Sequence, residues 1–197
     1  MEKYGSDRAT AILNFWFGDP EDPEYGQQRK AWFQKDPGFD AEIRQQFLSD
    51  YERAAAGEYD VWQSQPRSCV ALILLLDQFP RNLFRNSSQA FATDAKALSV
   101  AQYAVAQGFD RQLIPAERMF VYLPFEHCEE LAQQDRCVQL FEQLMVDAPE
   151  FESTLDYALR HREVIDRFGR FPHRNEVLER DTTPAEAEFL QQPGSRF

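Results

Sequence analysis

The chain has 197 residues, a formal net charge of −12 at pH 7 and a hydrophobic fraction of 43%. This composition is typical of a folded globular domain, and its acidic balance excludes a general nucleic-acid binder, which needs a cationic face. The apolar runs are too short to span a bilayer, and the first residues do not form a signal peptide. We therefore expect one domain over residues 1–197 in a cytoplasmic protein with neither nucleic-acid nor membrane partners.

Apolar residues recur at helical spacing along most of the chain, and strand-like alternation is nearly absent. The first predicted helix is capped by Ser6 or Asp7 and ends at Gly18. The second predicted helix begins at Asp40 and ends at Gly57.

The middle of the chain holds its most apolar segment, residues 68–77. Because this segment is apolar on every face, it predicts a central buried helix, which Pro80 breaks or kinks. The periodicity predicts three more helices, at about 88–107, 126–147 and 153–168.

The last predicted helix covers residues 183–190 and carries a complete start signal. Thr183 is its cap, Pro184 takes the first helical position and Glu186 closes a capping box. With the preceding segments, this helix predicts an all-α, single-domain array of seven or more helices.

Metal and cysteine chemistry finds no support in the sequence. The three cysteines, Cys69, Cys128 and Cys137, form no C-x-x-C pair, and no zinc or di-iron histidine motif is present. We predict neither a metal site nor a cofactor.

The segment 160–175, called here the arginine segment, is the most unusual stretch of this acidic chain. Guanidinium groups suit bidentate binding of carboxylate or phosphate, so the segment predicts an anion site. The alternative is a set of internal ion pairs, beginning with the i,i+4 pairs Arg162–Asp166 and Glu163–Arg167. The basic and imidazole residues of the segment are Arg160, His161, Arg162, Arg167, Arg170, His173 and Arg174.

A second candidate for chemistry is the sequence PFEHCEE at residues 124–130. Pro124 is predicted to open a helix, which places Glu126 and His127 in or near the first turn. The positive end of a helix favours a neutral imidazole, and a neutral imidazole can act as a general base. His127 and His161 are therefore the catalytic candidates, and the alternative is that each is a capping or core histidine.

Asp77 ends the apolar segment, where a carboxylate needs a cation. The expected partner is Arg81 or an arginine of the arginine segment. The place where Asp77 meets this partner would be either the floor of a pocket or a purely structural ion pair.

Two short sequences resemble each other. They are DQFPRN at 77–82, called here the first Phe-Pro segment, and GRFPHRN at 169–175, called here the second Phe-Pro segment. Their likeness is either a shared design or a coincidence of turn chemistry.

Six collinear motifs resemble an uncharacterised bacterial family, the domain of unknown function 924. The resemblance implies an all-helical fold similar to tetratricopeptide-like arrays, and it implies no activity. Two positions depart from the family pattern: Cys128 replaces a serine, and Glu179 replaces the glycine of a Leu-Gly-Arg turn. The motifs are ILNFWFGD, the run beginning at Trp32, LLLDQFPRNLFR, AFATD, RMFVYLPFEHCEE and RFGRFPHRN.

These observations favour a pocket that binds an anionic small molecule, with catalysis left open. The alternative is a helical-repeat module that binds a protein or peptide in a groove containing Trp32 and Phe33. A third hypothesis is that the polar motifs are purely structural. The sequence leaves the oligomeric state open. The predicted ligand-binding residues are Asp77, Arg81, Asn82, Glu126, His127, His161, Arg162, Arg170, His173 and Arg174.

Overall fold

The computed structural model describes residues 2–196, with side chains from residue 7 onward, and this part of the chain is helical without a strand. The prediction of an all-α protein is therefore confirmed. Short 3-10 turns join most of the α-helices. The helices are α1 (Glu2–Phe17), α2 (Pro37–Ala55), α3 (Pro66–Ile73), α4 (Phe79–Leu83), α5 (Asp94–Ala106), α6 (Pro115–Glu126), α7 (Leu131–Asp147), α8 (Glu152–Phe168) and α9 (Pro184–Phe189).

Helix α3 lies at the centre of the packing, against α1, α5 and α6. Its residues from Cys69 onward are buried, which confirms the predicted central helix. From α5 to α8 each helix packs on the next, as short connections require in a helical array. One continuous apolar core extends from Ala9 to Ala158, and a smaller cluster around Phe171 lies under the C-terminal segment.

Pro80 does not end the central helix. A π-helical turn at Leu74–Gln78 follows α3, and α4 continues directly from it with Pro80 in its first turn. Proline lacks the N–H that would bind the carbonyl of Leu76, and the Thr93 hydroxyl donates to that carbonyl at 2.6 Å instead. The backbone group that proline leaves unpaired is thus satisfied from outside the helix.

The predicted starts of the first two helices are wrong. Helix α1 begins at Glu2, so Asp7 and the backbone of Ser6 lie inside it rather than at its cap, and the side chain of Ser6 is outside the described part. Helix α2 is capped by Asp36, whose carboxylate accepts from two backbone N–H groups, and Asp40 lies in its first turn. An N-cap side chain is most effective directly before the first turn, which Asp36 occupies.

The C-terminal helix α9 follows the prediction. The Thr183 hydroxyl accepts from the Glu186 backbone, and the Glu186 carboxylate accepts from the Thr183 N–H at 2.7 Å. Glu186 is buried and also accepts two hydrogen bonds from Arg170, at 2.6 and 2.8 Å. Arg170 therefore fastens α9 to the rest of the protein.

Candidate functional site

A cavity of about 680 Å³ lies between three helical faces. In each face the lining residues are three, four or seven positions apart, apart from one adjacent pair, so they project mainly from one side of their helix. The floor is the face of α6, and the other two walls are the end of the central helix and the face of α8. The lining residues of these faces are Gln78, Arg81, Asn82 and Arg85; Met119, Leu123, Glu126 and His127; and Ser153, Thr154, Tyr157 and His161.

The cavity changes character along α6. Met119 and Leu123 make one part of the floor apolar, whereas Glu126 and His127 make the next turn polar. Seven residues of helix rise about 10 Å, so the floor runs from apolar to polar over the length of a small organic molecule. Phe33 lies at the rim and is 62% exposed.

His127 lies at the opposite end of its helix from the predicted one. Pro124 is inside α6, so His127 follows the last turn of that helix instead of opening the next one. The pKa of His127 is lowered, but the causes are burial and the positive charge of Arg81 rather than a helix N-terminus. The prediction of its place was wrong because a proline was taken as a start signal when it lies within the helix.

Asp77 is completely buried behind the polar end of the cavity and holds His127. Its Oδ1 lies 2.7 Å from His127 Nδ1 and 3.5 Å from Arg81 Nη1, and its Oδ2 accepts from the Gln78 amide. The positive charge of Arg81 and the hydrogen bonds to Asp77 keep its pKa below the ordinary range despite burial. The predicted pairing of Asp77 with Arg81 is confirmed.

The two Phe-Pro segments meet in space at Asp94. Arg81 of the first segment donates to both carboxylate oxygens of Asp94, at 3.0 and 3.2 Å. Arg174 of the second segment has its Nη1 3.6 Å from Asp94 Oδ2. Both guanidinium groups lie over the ring of Phe91, at 5.7 Å for Arg81 and 4.7 Å for Arg174.

Arg174 is the least satisfied cation of the cavity. Its guanidinium lies between the rings of Phe91 and Phe171, with 7% of its side chain exposed. Its Nε is buried without a hydrogen-bond partner. Burial, and then the neighbouring charge of Arg81, lower the pKa of Arg174 to about 10, so the group stays charged at neutral pH.

Glu126 and His161 form a second polar pair in the cavity. Glu126 Oε1 lies 3.5 Å from His161 Nδ1, which donates to the Tyr157 carbonyl at 2.9 Å. Burial, with the negative charge of Asp77, raises the pKa of Glu126 to about 8. Burial lowers the pKa of His161 to about 3. At neutral pH the carboxyl is therefore protonated and the imidazole is neutral.

Three predicted ligand-binding residues lie outside the lining of the cavity: Asp77, which is buried behind it, and Arg162 and Arg170. Arg162 donates to Asp135 at 2.6 Å, and Arg170 binds Glu186. The predicted helical partner of Arg162, Asp166, is not the one it binds, because the side chain reaches across to α7. Arg167 likewise lies over the rings of Phe168 and Phe189 instead of pairing with Glu163.

The remaining predicted residues gather at one place. His173 lines the cavity beside Arg174, and burial lowers its pKa to about 3. Asn82 also lines the cavity and donates to Asp40 at 2.8 Å. Sequence reasoning missed Asp94, the shared partner of the two arginines, and the AFATD motif was the signal that contained it.

The described part of the chain holds neither a metal-binding cluster nor a membrane-spanning helix. Between residues 7 and 196, no group of three or more His, Cys, Asp and Glu side chains is arranged to hold a metal ion. No helix there combines the length and apolarity needed to cross a membrane.

Fold and site together define an all-helical protein with an arginine- and histidine-lined cavity where two Phe-Pro segments meet. The chain belongs to the family described as bacterial protein of unknown function (DUF924), whose model matches residues 12–194. It is similar to the solved structure of a protein of unknown function from Agrobacterium tumefaciens, with 39% identity and a TM-score of 0.82. That match covers 94% of this chain and 98% of the other. No curated protein matches the sequence.

Proposed function

We propose that the cavity binds a small organic anion that also has an apolar part. The observation that carries this proposal is Arg174, a buried guanidinium with a partnerless Nε and one long contact to Asp94. A buried donor without a partner is costly, and a bound carboxylate or phosphate would supply acceptors in the bidentate geometry that guanidinium prefers.

The charge balance of the lining supports an anion. Glu126 is the one acidic side chain among the lining residues in the described part of the chain, and its raised pKa keeps it uncharged at neutral pH. Asp77, Asp94 and Asp40 lie behind the lining and pair with Arg81 and Arg85, so the positive charge left to attract an anion in this low-dielectric cleft is chiefly that of Arg174. The cationic lining residues are Arg81, Arg85, Arg174 and Arg196.

The other part of the cavity supports an apolar group on the same ligand. Met119 and Leu123 form its floor, and Trp32 and Phe33 form its wall. The volume of about 680 Å³ falls within the range of small-molecule sites, about 300–1,000 Å³. The ligand would therefore place its anionic group at Arg174 and its apolar group along α6.

Thermal unfolding with four matched probes tests the proposal. Phenylacetate and phenylphosphate carry a ring and an anion, benzyl alcohol carries only the ring, and inorganic phosphate carries only the anion. At 100 times its dissociation constant a ligand adds about 2.7 kcal/mol to the free energy of unfolding, which raises the midpoint by about 5–10 °C. We expect the ring-bearing anions to raise the midpoint most.

Two arginine variants locate the binding. Arg174→Met removes the charge and keeps apolar contact with Phe91 and Phe171, and it should abolish the shift. Arg160→Met is the control, because Arg160 is exposed and pairs with Asp156 on its own helix, outside the lining. A shift that survives in Arg174→Met, or no shift with any probe, contradicts the proposal. A response to C-terminal peptides alone would favour the peptide-binding alternative.

A further inference from the structure

We infer that the cavity is also a catalytic site in which His127, positioned by Asp77, removes a proton from the bound anion while Glu126 protonates its carbonyl oxygen. The inference rests on the proposed function, since the anion must first bind. It extends that function to a reaction, enolisation, and to a substrate class, 2-oxo acids with an apolar tail.

His127 has the geometry of a general base. Its Nδ1–H donates to the ionised Asp77 at 2.7 Å, and this hydrogen bond fixes the tautomer in which Nε2 carries the lone pair. The ring lines the cavity, with 15% of its side chain exposed, whereas Asp77 has none of its surface exposed. A buried carboxylate that orients an imidazole at the edge of a cavity is the arrangement that general-base catalysis uses.

Glu126 supplies the proton donor next to this base. The two residues are adjacent in the chain at the end of α6, and both line the same cavity. In water a carboxyl group loses its proton before an imidazolium does, but burial here reverses that order. Groups with separated pKa values of this kind divide the roles of acid and base between them.

The order of groups along the cavity selects the substrate class. The arginines lie beside His127, because Asp77 contacts both His127 and Arg81. Leu123 follows one turn back along α6 and begins the apolar floor. A 2-oxo acid has the matching order of carboxylate, carbonyl, acidic C–H group and tail, which brings its reactive atoms to the acid–base pair.

The proton balance of the step is complete within the site. His127 Nε2 takes the proton from carbon 3, and the C–H electron pair becomes the C2–C3 double bond. The carbonyl π pair moves to the oxygen, which takes the proton of Glu126. Proton return from His127 to Glu126 through water restores both groups, and the net reaction is conversion of the keto form to the enol.

Solvent deuterium exchange tests the inference directly. Phenylpyruvate and 4-methyl-2-oxopentanoate are incubated in D2O with the protein, and loss of the carbon 3 proton signal is followed by NMR against a protein-free sample. We expect exchange above background, and His127→Asn to lower the protein-dependent rate about 100-fold or more, as loss of a general base does. The amide that this substitution introduces keeps a donor toward Asp77, which protects the fold.

The pH profile provides a readout that a structural role would not change. The rate should rise with pH as His127 loses its proton below its ordinary pKa, and fall as Glu126 loses its proton at about 8. Glu126→Gln should lower the rate and abolish the alkaline fall. The titratable and charged groups that face this pair from the packed elements are Asp77, Arg81, Asp94, Cys137, His161 and His173.

The outcomes separate the two proposals. A thermal shift with these oxo acids but no exchange overturns the catalytic inference and leaves anion binding intact. Exchange that is unchanged in a folded His127→Asn protein also overturns it. If neither oxo acid shifts the midpoint or exchanges, the substrate class is wrong, and the phenylacetate and phenylphosphate result decides separately whether any anion binds. Arg160→Met should exchange like the wild type.

Discussion

The two Phe-Pro segments use similar sequences for different purposes. Phe79 and Phe171 are both fully buried, and both segments direct an arginine to Asp94. The first segment, however, continues the central helix inside the main core, whereas the second forms a 3-10 turn after Gly169 on the small C-terminal cluster.

The two arginines show what this difference means. Arg81 binds Asp94 with both ends of its guanidinium and also contacts the carboxylate and the backbone carbonyl of Asp77. Arg174 has one long contact to Asp94 and a partnerless Nε. A similar sequence therefore provides a well-paired cation in the helix and, in the turn, an incompletely paired cation that lines the cavity.

The largest expected effect is the difference in stability between removing the charge of Arg81 and removing that of Arg174. Arg81→Met leaves the buried Asp77 and the half-buried Asp94 with too little positive charge, and it should lower the free energy of unfolding by about 3–5 kcal/mol. Arg174→Met leaves Asp94 paired with Arg81 and relieves the repulsion between the arginines, so its effect should stay within about 1 kcal/mol or be stabilising. Urea denaturation of the two variants measures the difference. Equal losses would show that both arginines are structural.

The second largest effect concerns Glu126, whose pKa depends in part on Asp77, an acid that only the first segment carries. Burial, and then the negative charge of Asp77, raises the pKa of Glu126, and Gly169 occupies the position of the second segment that corresponds to Asp77. The pKa of Glu126 is about 4.5 in the unfolded chain and about 8 in the folded protein. Between these two pH values Glu126 is protonated only in the folded state. The free energy of unfolding therefore falls as the pH rises through this window. Glu126→Gln should remove this loss, on the order of 3 kcal/mol between pH 5 and pH 9.

The control for this measurement is Glu163→Gln, which removes an exposed carboxylate from α8. We expect Glu163→Gln to keep the wild-type pH dependence of the free energy of unfolding. If Glu126→Gln also keeps it, Glu126 is ionised in the folded protein and the separation of acid and base roles fails.

The smallest effect concerns the residue that turns the chain after each segment. Asn86 follows the first segment with φ +62°, and Glu179 follows the second with φ +54°. Both side chains are exposed, but asparagine tolerates the left-handed region and glutamate does not. Glu179→Gly should therefore stabilise the protein by about 1 kcal/mol, and Asn86→Gly should change it by a few tenths. Thermal unfolding of both variants against wild type tests the difference.

The sequence predicted most of the long helices because their signals are local, but α6 was not among them. A segment that is apolar on every face identified the central helix, and Thr183 and Glu186 identified the start of α9. Pro124 was taken as a helix start although it lies inside α6. Pro80 was expected to break or kink the central helix, and the helix does not break there because the Thr93 hydroxyl, remote in sequence, satisfies the carbonyl of Leu76.

The site was predicted only in part, for the same reason. The need of Asp77 for a cation is a property of one buried residue, so its pairing with Arg81 could be inferred from the sequence. Asp94, which joins the two arginines, belongs to the AFATD motif, but nothing in that motif indicates its role. The raised pKa of Glu126 depends on burial and on a charge 49 positions earlier in the chain, and only the folded structure brings these together.

The π turn at Leu74–Gln78 has a consequence for the phase of the central helix. A π turn contains one residue more than the α-helical turn it replaces, and each residue turns an α-helix by about 100°. The turn therefore takes up the extra residue, and the spacing of the residues on one face shifts by one position across it. If the same residues formed an ordinary α-helix, the segment after the turn would be rotated by about 100°, and Arg81 would point away from the cavity that it now lines. Deleting one residue from the turn should instead keep the direction of Arg81.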